Sequence, residues 1–305
     1  MSTMLPNNLA AFPKRKPSLD AASASRQRLG RAAARLALLI VVGGLFGLSA
    51  YRWAIGTEEG LSPSPVSPQA EATAAEVSAP DLIVTGLLGN HPTSQNWSGY
   101  AATEGGYTGI RATWTIPDLG GSSSVGLDAV WVGIGGVRTR DLIQAGTQRT
   151  VLQNGATQTE AWVELLPRAS ETVPFSVDPG DTISVSIDQD GPETWVIVFT
   201  NITRGQTYEV TRHYASSLSS AEWVVEAASA GRRGLLPLDQ FGTVQFSQAS
   251  ALQESQVLNI SESGAHAITM ITPGGVSLAV PSAIGADGDS FSVTRTSTPS
   301  PSRRR

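Results

Sequence analysis

The chain of 305 residues is poor in charge, with 15% charged side chains, no cysteine and a formal net charge of −5. An acidic body of this kind excludes the basic surface that nucleic-acid-binding proteins carry. The absence of cysteine excludes disulfides, thiol nucleophiles and cysteine-ligated metal sites.

The first 56 residues have the pattern of a targeting segment. Residues 1–35 form a basic region, and residues 36–56 form an apolar segment that Arg52 interrupts. A basic block ahead of an apolar run is typical of a signal peptide and equally of an uncleaved signal-anchor. We therefore predict an extracytoplasmic protein, secreted or anchored to the membrane by this segment. The alternative is a buried helix of a cytosolic domain.

A segment of low complexity follows. Residues 57–93 are rich in Pro, Ser and Ala and lack apolar periodicity, which predicts a linker or a removable pro-segment. Residues 297–305 form a polar tail that we expect to be disordered. The intervening residues 94–296 are enough for one folded domain.

Apolar and polar residues alternate with a period of two through this domain. In "GIRATWTIP" the side chains of Ile110, Ala112 and Trp114 share one face, and "DTISVSID" repeats the scheme with Ile183 and Val185. Turn sequences such as "VDPGD" and "DQDGPE" separate the predicted strands. No segment sustains the apolar stripe of a helix, so we predict an all-β domain, either two packed antiparallel sheets or a barrel.

Three predicted strands carry polar residues in their middle. In "AEWVVEA" the period of two places Glu222 and Glu226 on one face and Trp223 on the other. Such residues fit a solvated concave groove, and they fit equally the ordinary water-facing side of an antiparallel sheet. The other two strands, "QTEAWVELLP" and "DLIQAGTQ", contribute Glu160, Trp162, Glu164 and Gln144.

A series of short motifs follows in a fixed order along the domain. The motifs are "NWSGY", "WTIP", "VWVGIGG", "LIQAGT", "EAWVELLP", "PGDTISVSI", "NITRG", "AEWVVE" and "FGTVQF". This series resembles the glutamic peptidase family, the eqolisins, and the resemblance covers nearly all of residues 94–250. It implies a β-sandwich of two curved antiparallel sheets, of the concanavalin A-like or jelly-roll type, that is secreted and cleaves polypeptides at acidic pH with a Glu/Gln pair.

The resemblance also implies roles for individual residues. The catalytic glutamine of the family falls on Gln144, and its catalytic glutamate falls on Glu226. Glu222 is then a structural or secondary acid. The resemblance further implies a supporting carboxylate and groove residues, which are Glu164, Glu160, Trp97, Trp131 and Trp162.

The chain departs from the family pattern at several points. Gly135 stands where members often carry Asp, Leu165 and Leu166 stand where aromatic residues follow, and the disulfides of fungal members are absent. These departures concern subsite preference and the water network. We expect polypeptide substrates, no cofactor, no metal, no nucleic-acid partner and a monomer, with membrane contact only through residues 36–56 if they are retained.

The chemistry of peptide hydrolysis calls for these residue types. Without a metal or a covalent nucleophile, a base must take a proton from the attacking water, and an acid must protonate the departing nitrogen. Glu226 can do both in turn. The amide of Gln144 can donate to the developing oxyanion and hold the water, and Glu164 can orient either residue.

Two rival classes of function share the predicted fold. A lectin-like sandwich would bind sugar by stacking on tryptophan. A glycoside hydrolase would use two carboxylates, such as Glu164 and Glu226. Both rivals leave Gln144 without a role. A Ser-His-Asp triad would need His213 or His266, which we expect at strand-surface positions.

Overall fold

The computed structural model describes residues 84–85, 92–118, 125–229 and 234–296. Within these ranges the chain forms seventeen strands and no helix, as the period-two pattern predicts. The predictions for residues 1–56 and 297–305, and nearly all of the linker 57–93, lie outside the described residues. No helix among the described residues is long and apolar enough to span a bilayer.

The strands follow one another closely along the chain, and most are joined by short turns. They are β1 (Val84–Thr85), β2 (Thr93–Ser94), β3 (Trp97–Ala102), β4 (Tyr107–Thr115), β5 (Gly126–Gly135), β6 (Leu142–Val151), β7 (Thr157–Leu165), β8 (Glu171–Thr172), β9 (Thr182–Gly191), β10 (Thr194–Asn201), β11 (Gln206–His213), β12 (Ala221–Glu226), β13 (Thr243–Gln253), β14 (Gln256–Asn259), β15 (His266–Ile271), β16 (Ser277–Pro281) and β17 (Phe291–Arg295).

The strands form two layers. The groove sheet has the order β8–β7–β6–β5–β12–β3–β15, and all its pairings are antiparallel. The back sheet runs β11–β10–β9–β4–β13, and continues from β13 through β17 and β16 to β15. Strand β15 pairs with both layers, because its first residues pair with β3 and its last with β16. The two layers therefore form an all-β sandwich.

The main core lies between the two sheets. Ile110, Ala112 and Trp114 of β4 pack into the same buried cluster as Trp223 and Val225 of β12. The predicted inward faces of both strands are thus confirmed. Each large apolar side chain that is fully buried contributes about 1.5–3 kcal/mol to the free energy of folding, so this interior supplies most of the driving force for packing the layers.

The opposite face of the groove sheet is less open to water than a solvated face would be. Trp131 and Glu222 on this face are both 0% exposed. The face carries a second apolar cluster, in which Trp131, Val137 and Leu142 pack together. The expectation of a solvated concave face is therefore wrong for part of it, because tryptophans, Val137 and Leu142 pack together on this face.

Gly146 on β6 allows the tryptophans of this face to approach the sheet. It pairs with Trp131 on one side and Trp162 on the other. An added Cβ would lie 2.2 Å from the carbonyl oxygen of Val130 and 2.5 Å from the Cβ of Trp131. We expect Gly146→Ala to lower the free energy of unfolding by about 3 kcal/mol, because backbone atoms must move.

Urea denaturation measures this effect. Gly191→Ala is the matched control, because the nearest atom to an added Cβ there is the Cβ of Thr194 at 4.0 Å. We expect the control to unfold near the wild-type urea concentration. Equal midpoints for the two variants would show that the close approach at Gly146 is not needed.

Candidate active site

All eight site residues predicted from the sequence lie on one face of the groove sheet. The strand register arranges this face in three rows that cross the strands. The first row holds Trp97, Glu226, Ala129, Gln148 and Glu160; the second holds Gly99, Val224, Trp131, Gly146 and Trp162; the third holds Ala101, Glu222, Gly133, Gln144 and Glu164.

Glu226 ends β12 and is held by two fixed donors. The Nδ2 atom of Asn96 donates to its Oε1 over 3.1 Å, and the Nε1 atom of Trp131 donates to its Oε2 over 2.8 Å. Burial raises the pKa of Glu226 to about 7, the charge of Glu164 adds to the rise, and the donors from Trp131, Trp97 and Asn96 oppose it. Both protonation states of this carboxyl are therefore accessible in mildly acidic solution.

Gln144 lies in the middle of β6 and is only 4% exposed. Its Nε2 atom donates to Oε2 of Glu164 over 2.5 Å. Burial raises the pKa of Glu164 to about 7, and the hydrogen bond from Gln144 opposes the rise. The Oε1 atom of Gln144 is buried without a hydrogen-bond partner among the described residues. The amide thus keeps an acceptor that can hold a water or substrate group.

Gln144 and Glu226 lie on the two strands that flank β5. Glu226 pairs with Ala129 of β5, and Gln144 pairs with Gly133 of the same strand. The two side chains are therefore two rows apart on a shared face, with the row of Trp131 between them. No packed layer of the sandwich separates the amide from the acid.

A second amide–carboxylate pair lies further along the same strands. The Nε2 atom of Gln148 donates to Oε1 of Glu160, and the hydroxyl of Thr172 donates to Oε2 over 3.0 Å. Sequence reasoning identified Glu160 but missed Gln148, although Gln148 has the same parity on β6 as Gln144. The period of two could have found it.

Sequence reasoning also missed Asn96 as a partner of Glu226. Asn96 lies just before β3, where its backbone N–H donates to the Ser94 hydroxyl. It is 130 residues from Glu226 in sequence. No local pattern indicates such a contact, because only the pairing of β3 with β12 brings the two residues together.

Tryptophan side chains form the apolar part of the face. The rings of Trp97 and Trp131 meet edge to face, with centroids 4.9 Å apart and an interplanar angle of 78°. Trp162 is 6% exposed, and its Nε1 atom has no hydrogen-bond partner in the described ranges. These rings border the acids and are themselves largely buried.

Glu222 does not join the hydrogen-bonded groups of Glu226 and Gln144. Its side chain is 0% exposed, and neither carboxyl oxygen has a hydrogen-bond partner within the part of the chain that the structure describes. In the same ranges, no three His, Cys, Asp or Glu side chains lie close enough together to hold a metal ion. The polar groups of the face are carboxyls, amides and indole N–H groups.

Trp131→Phe is expected to raise the pKa of Glu226, because it removes the N–H that donates to the carboxylate form. A hydrogen bond to a charged group is worth about 1.5–3 kcal/mol. Because neighbouring groups adjust and offset part of this loss, we expect the pKa of Glu226 to rise by about one unit. If Glu226 must be ionised for activity, the low-pH limb of kcat/KM moves to higher pH by that amount.

Trp162→Phe is the matched control for this change. It makes the same substitution in the same row, at an indole with no partner among the described residues. We expect its pH limb to stay at the wild-type position. A limb that moves equally in both variants, or in neither, would contradict the role given to the Trp131 N–H.

Solved structures with this fold include glutamic peptidases. Scytalido-glutamic peptidase with a transition state analog inhibitor aligns with a TM-score of 0.58 and 20% identity, over 66% of this chain and 98% of that chain. Aspergilloglutamic peptidase from Aspergillus niger aligns with a TM-score of 0.50 and 25% identity, over 56% of this chain and 99% of that chain. These similarities show the fold of the sandwich.

The sequence is related to the same group. Aspergillopepsin-2 from Aspergillus niger is 26% identical over an alignment of 199 residues, and the match covers 57% of this chain and 70% of that protein. The family model of the Peptidase A4 family matches residues 95–295, which is nearly the whole of the predicted domain. The chain therefore belongs to the Peptidase A4 family, the glutamic peptidases or eqolisins, whose members hydrolyse polypeptides in acid.

Proposed function

We propose that Glu226 and Gln144 are the catalytic pair of this acid endopeptidase and that they activate a water molecule for attack on a peptide bond. One observation carries the proposal. A half-buried acid that fixed N–H donors hold at both oxygens shares a face with a buried amide whose carbonyl oxygen has no partner among the described residues. Acid–base chemistry and oxyanion binding need a carboxyl and an amide that face the same substrate.

In the first step, the carboxylate of Glu226 takes a proton from water while the water oxygen attacks the carbonyl carbon of the substrate. The electron pair of the C=O bond moves to the oxygen, and an N–H of Gln144 stabilises this oxyanion. The Nε2 atom of Gln144 has two hydrogens, and only one is engaged by Glu164. The second hydrogen is free for the oxyanion.

In the second step, the protonated Glu226 donates its proton to the departing nitrogen. The C–N bond breaks, the oxyanion returns its electron pair to the carbonyl, and a carboxylic acid and an amine leave. The raised pKa of Glu226 supports this cycle, because a carboxyl with such a pKa can take the proton from water, hold it, and then donate it to the nitrogen. Glu164 holds the amide of Gln144 in position throughout.

The family match favours the peptidase over the carbohydrate-binding and glycoside-hydrolysing alternatives. It spans residues 95–295 and so includes every residue of the proposed site.

We also propose that the protein is extracytoplasmic and monomeric. The basic block before the apolar run of residues 36–56 supports export, as a secreted form or with a retained anchor.

The test uses the full chain with denatured casein or haemoglobin across pH 2–7. We expect fragmentation below neutral pH that withstands pepstatin and a metal chelator. Gln144→Ala is expected to lower kcat by about 10²–10³-fold, the scale for loss of one oxyanion donor. Undiminished cleavage by this variant would remove Gln144 from the mechanism, and activity on oligosaccharides alone would favour a rival class.

A further inference from the structure

The hydroxyl of Tyr214 lies between two strands of the groove sheet, at the end of the strand pair that carries Gln144 and Glu164. The backbone N–H of Leu142 donates to this hydroxyl over 2.7 Å, and the hydroxyl donates to the carbonyl oxygen of Leu166 over 2.8 Å. Both partners are backbone groups. The phenol oxygen therefore joins the first residue of β6 to the residue that follows β7.

This hydroxyl stands where a hydrogen bond of the sheet would be. The N–H of Leu166 donates to the carbonyl oxygen of Leu142 over 3.0 Å, which is one half of an antiparallel hydrogen-bonded pair. The other half would join the N–H of Leu142 to the carbonyl of Leu166, and the phenol oxygen is inserted between these two groups. The regular pairing of β6 with β7 ends one step earlier, at Ile143 and Leu165. Tyr214 thus sets how far the two strands open.

Gln144 and Glu164 are the nearest residues of these strands on the same face of the sheet. They pair with each other in the register, two residues from Leu142 and Leu166. The Nε2 atom of Gln144 donates to Oε2 of Glu164 over 2.5 Å. A change in the spacing of the strand ends would therefore change where the amide points.

The backbone of Tyr214 is fixed to the back sheet. Tyr214 follows β11 and begins the connection of residues 214–220 to β12 in the groove sheet. Its N–H donates to the carbonyl oxygen of Glu193 over 2.8 Å, and its carbonyl oxygen accepts the indole N–H of Trp195 over 2.9 Å. Trp195 is fully buried in the main core. The side chain of Tyr214 is thus a fixed spacer that reaches from one layer to the other.

The phenol remains a hydrogen-bond donor throughout the acid range. Burial raises the pKa of Tyr214 to about 12, although the N–H of Leu142 opposes the rise. The charge of Asp141 adds to the rise, and the charge of Arg168 opposes it. The same connection also holds Asp141, because the backbone N–H of Ser217 donates to its Oδ2 over 2.6 Å. One segment therefore fixes two successive residues at the start of β6.

We propose that Tyr214 is a positioning residue for Gln144: its hydroxyl, held between β6 and β7, sets the strand separation at which the amide of Gln144 meets Glu164. Without the hydroxyl, the N–H of Leu142 and the carbonyl of Leu166 can bond directly. A direct bond of about 2.9 Å is shorter than the path through the phenol oxygen. The strand ends then close, and the amide shifts relative to the oxyanion. This inference rests on the proposed catalytic pair.

Tyr214→Phe tests the proposal, because it removes one oxygen and keeps the ring, so we expect the fold to be retained. On a peptide substrate in acid we expect kcat to fall by about 10–100-fold, since a displacement of about 1 Å costs up to about 10²-fold in rate. KM is expected to stay near the wild-type value, because Tyr214 packs against the main core and not among the groove tryptophans. Wild-type kcat in this variant would overturn the proposal.

Tyr208→Phe is the matched control. It removes the same atom on β11 of the back sheet, where the ring packs against Phe199. We expect its kcat and KM to equal the wild-type values. Circular dichroism and urea midpoints in acid check that both variants are folded. An equal loss of kcat in the two variants would mean that the loss is not specific to the hydroxyl between β6 and β7, and the positioning role would be rejected.

A second measurement separates positioning from a general effect on stability. In a Gln144→Ala background we expect Tyr214→Phe to have no further effect on kcat, because no amide remains to be positioned. The same fold-loss in both backgrounds would show that Tyr214 does not act through Gln144. If Gln144→Ala alone keeps the wild-type kcat, the proposed catalytic pair fails. A slow Gln144→Ala variant together with a fully active Tyr214→Phe variant rejects this inference alone.

Discussion

Glu226→Gln is expected to lower kcat on a denatured protein substrate by about 10³–10⁴-fold, because the variant has no group that takes and returns the proton. The substitution keeps the size of the side chain. Its Oε1 atom can still accept the N–H of Trp131, which contacts Glu226 in the wild type. The loss is therefore expected in a folded protein, with KM close to that of the wild type.

The control for this prediction is Glu209→Gln, which makes the same change at an exposed position of β11 in the back sheet. We expect its kcat and KM to equal the wild-type values. Circular dichroism and urea denaturation of both variants check that folding is intact. Cleavage by Glu226→Gln at the wild-type rate would rule out Glu226 as the proton-transfer group.

The free energy of unfolding is expected to decrease as pH rises from about 4 to 7. Burial raises the pKa of Asp128, Glu164 and Glu226 to about 7 in each case and that of Glu222 well above its ordinary value. Between the unfolded and folded pKa values the folded state binds more protons, so stability is highest in acid and falls as pH rises. Each such group contributes a slope of up to about 1.4 kcal/mol per pH unit.

Asp128 shows the structural cause most clearly. The Nε atom of Arg149 lies 3.3 Å from Oδ1 of Asp128, and the Nη2 atom of the same guanidinium contacts Asp239. All three side chains are at most 3% exposed. One guanidinium cannot neutralise two buried carboxylates. Burial and the charge of Asp239 therefore raise the pKa of Asp128, although Arg149 opposes the rise.

Asp128→Asn removes one titrating group from this cluster. We expect the slope of unfolding free energy between pH 4 and 7 to become less negative, by up to about 1.4 kcal/mol per pH unit. Urea midpoints measured at half-unit steps of pH give the slope. A slope identical to that of the wild type would mean that Asp128 is ionised in the folded protein throughout this range.

Asp181→Asn is the control, because the pKa of Asp181 is lowered in the folded protein whereas that of Asp128 is raised. Burial raises the pKa of Asp181, but hydrogen bonds from Asn201 and the backbone N–H of Asp178 outweigh it, with further lowering from Arg204, and the net pKa is lowered. Its stabilisation is present above the unfolded pKa and is lost only as pH falls through the lowered value. This variant should therefore be less stable at all pH values from 5 to 7, with the wild-type slope.

The sequence by itself determined the class of fold and the faces of the strands. Alternation in "AEWVVE" assigns Glu222 and Glu226 to one face and Trp223 and Val225 to the other, and the two apolar clusters follow this division. The prediction succeeds because successive side chains of a strand point to opposite sides, which is a local property of the backbone. The order of the motifs along the chain indicated the family, because motifs are read directly from the sequence.

Only the tertiary structure decided which polar groups meet. The donor from Asn96 to Glu226 crosses 130 residues of sequence. The cluster of Asp128, Arg149 and Asp239 joins two strands and a loop, and the apolar cluster on the face of Glu222 joins residues of six strands and Val137 of a loop. Alternation gives the face of each residue but neither the register between strands nor the path of the loops. Burial and hydrogen bonding, which raise or lower the pKa values here, depend on register and loop path.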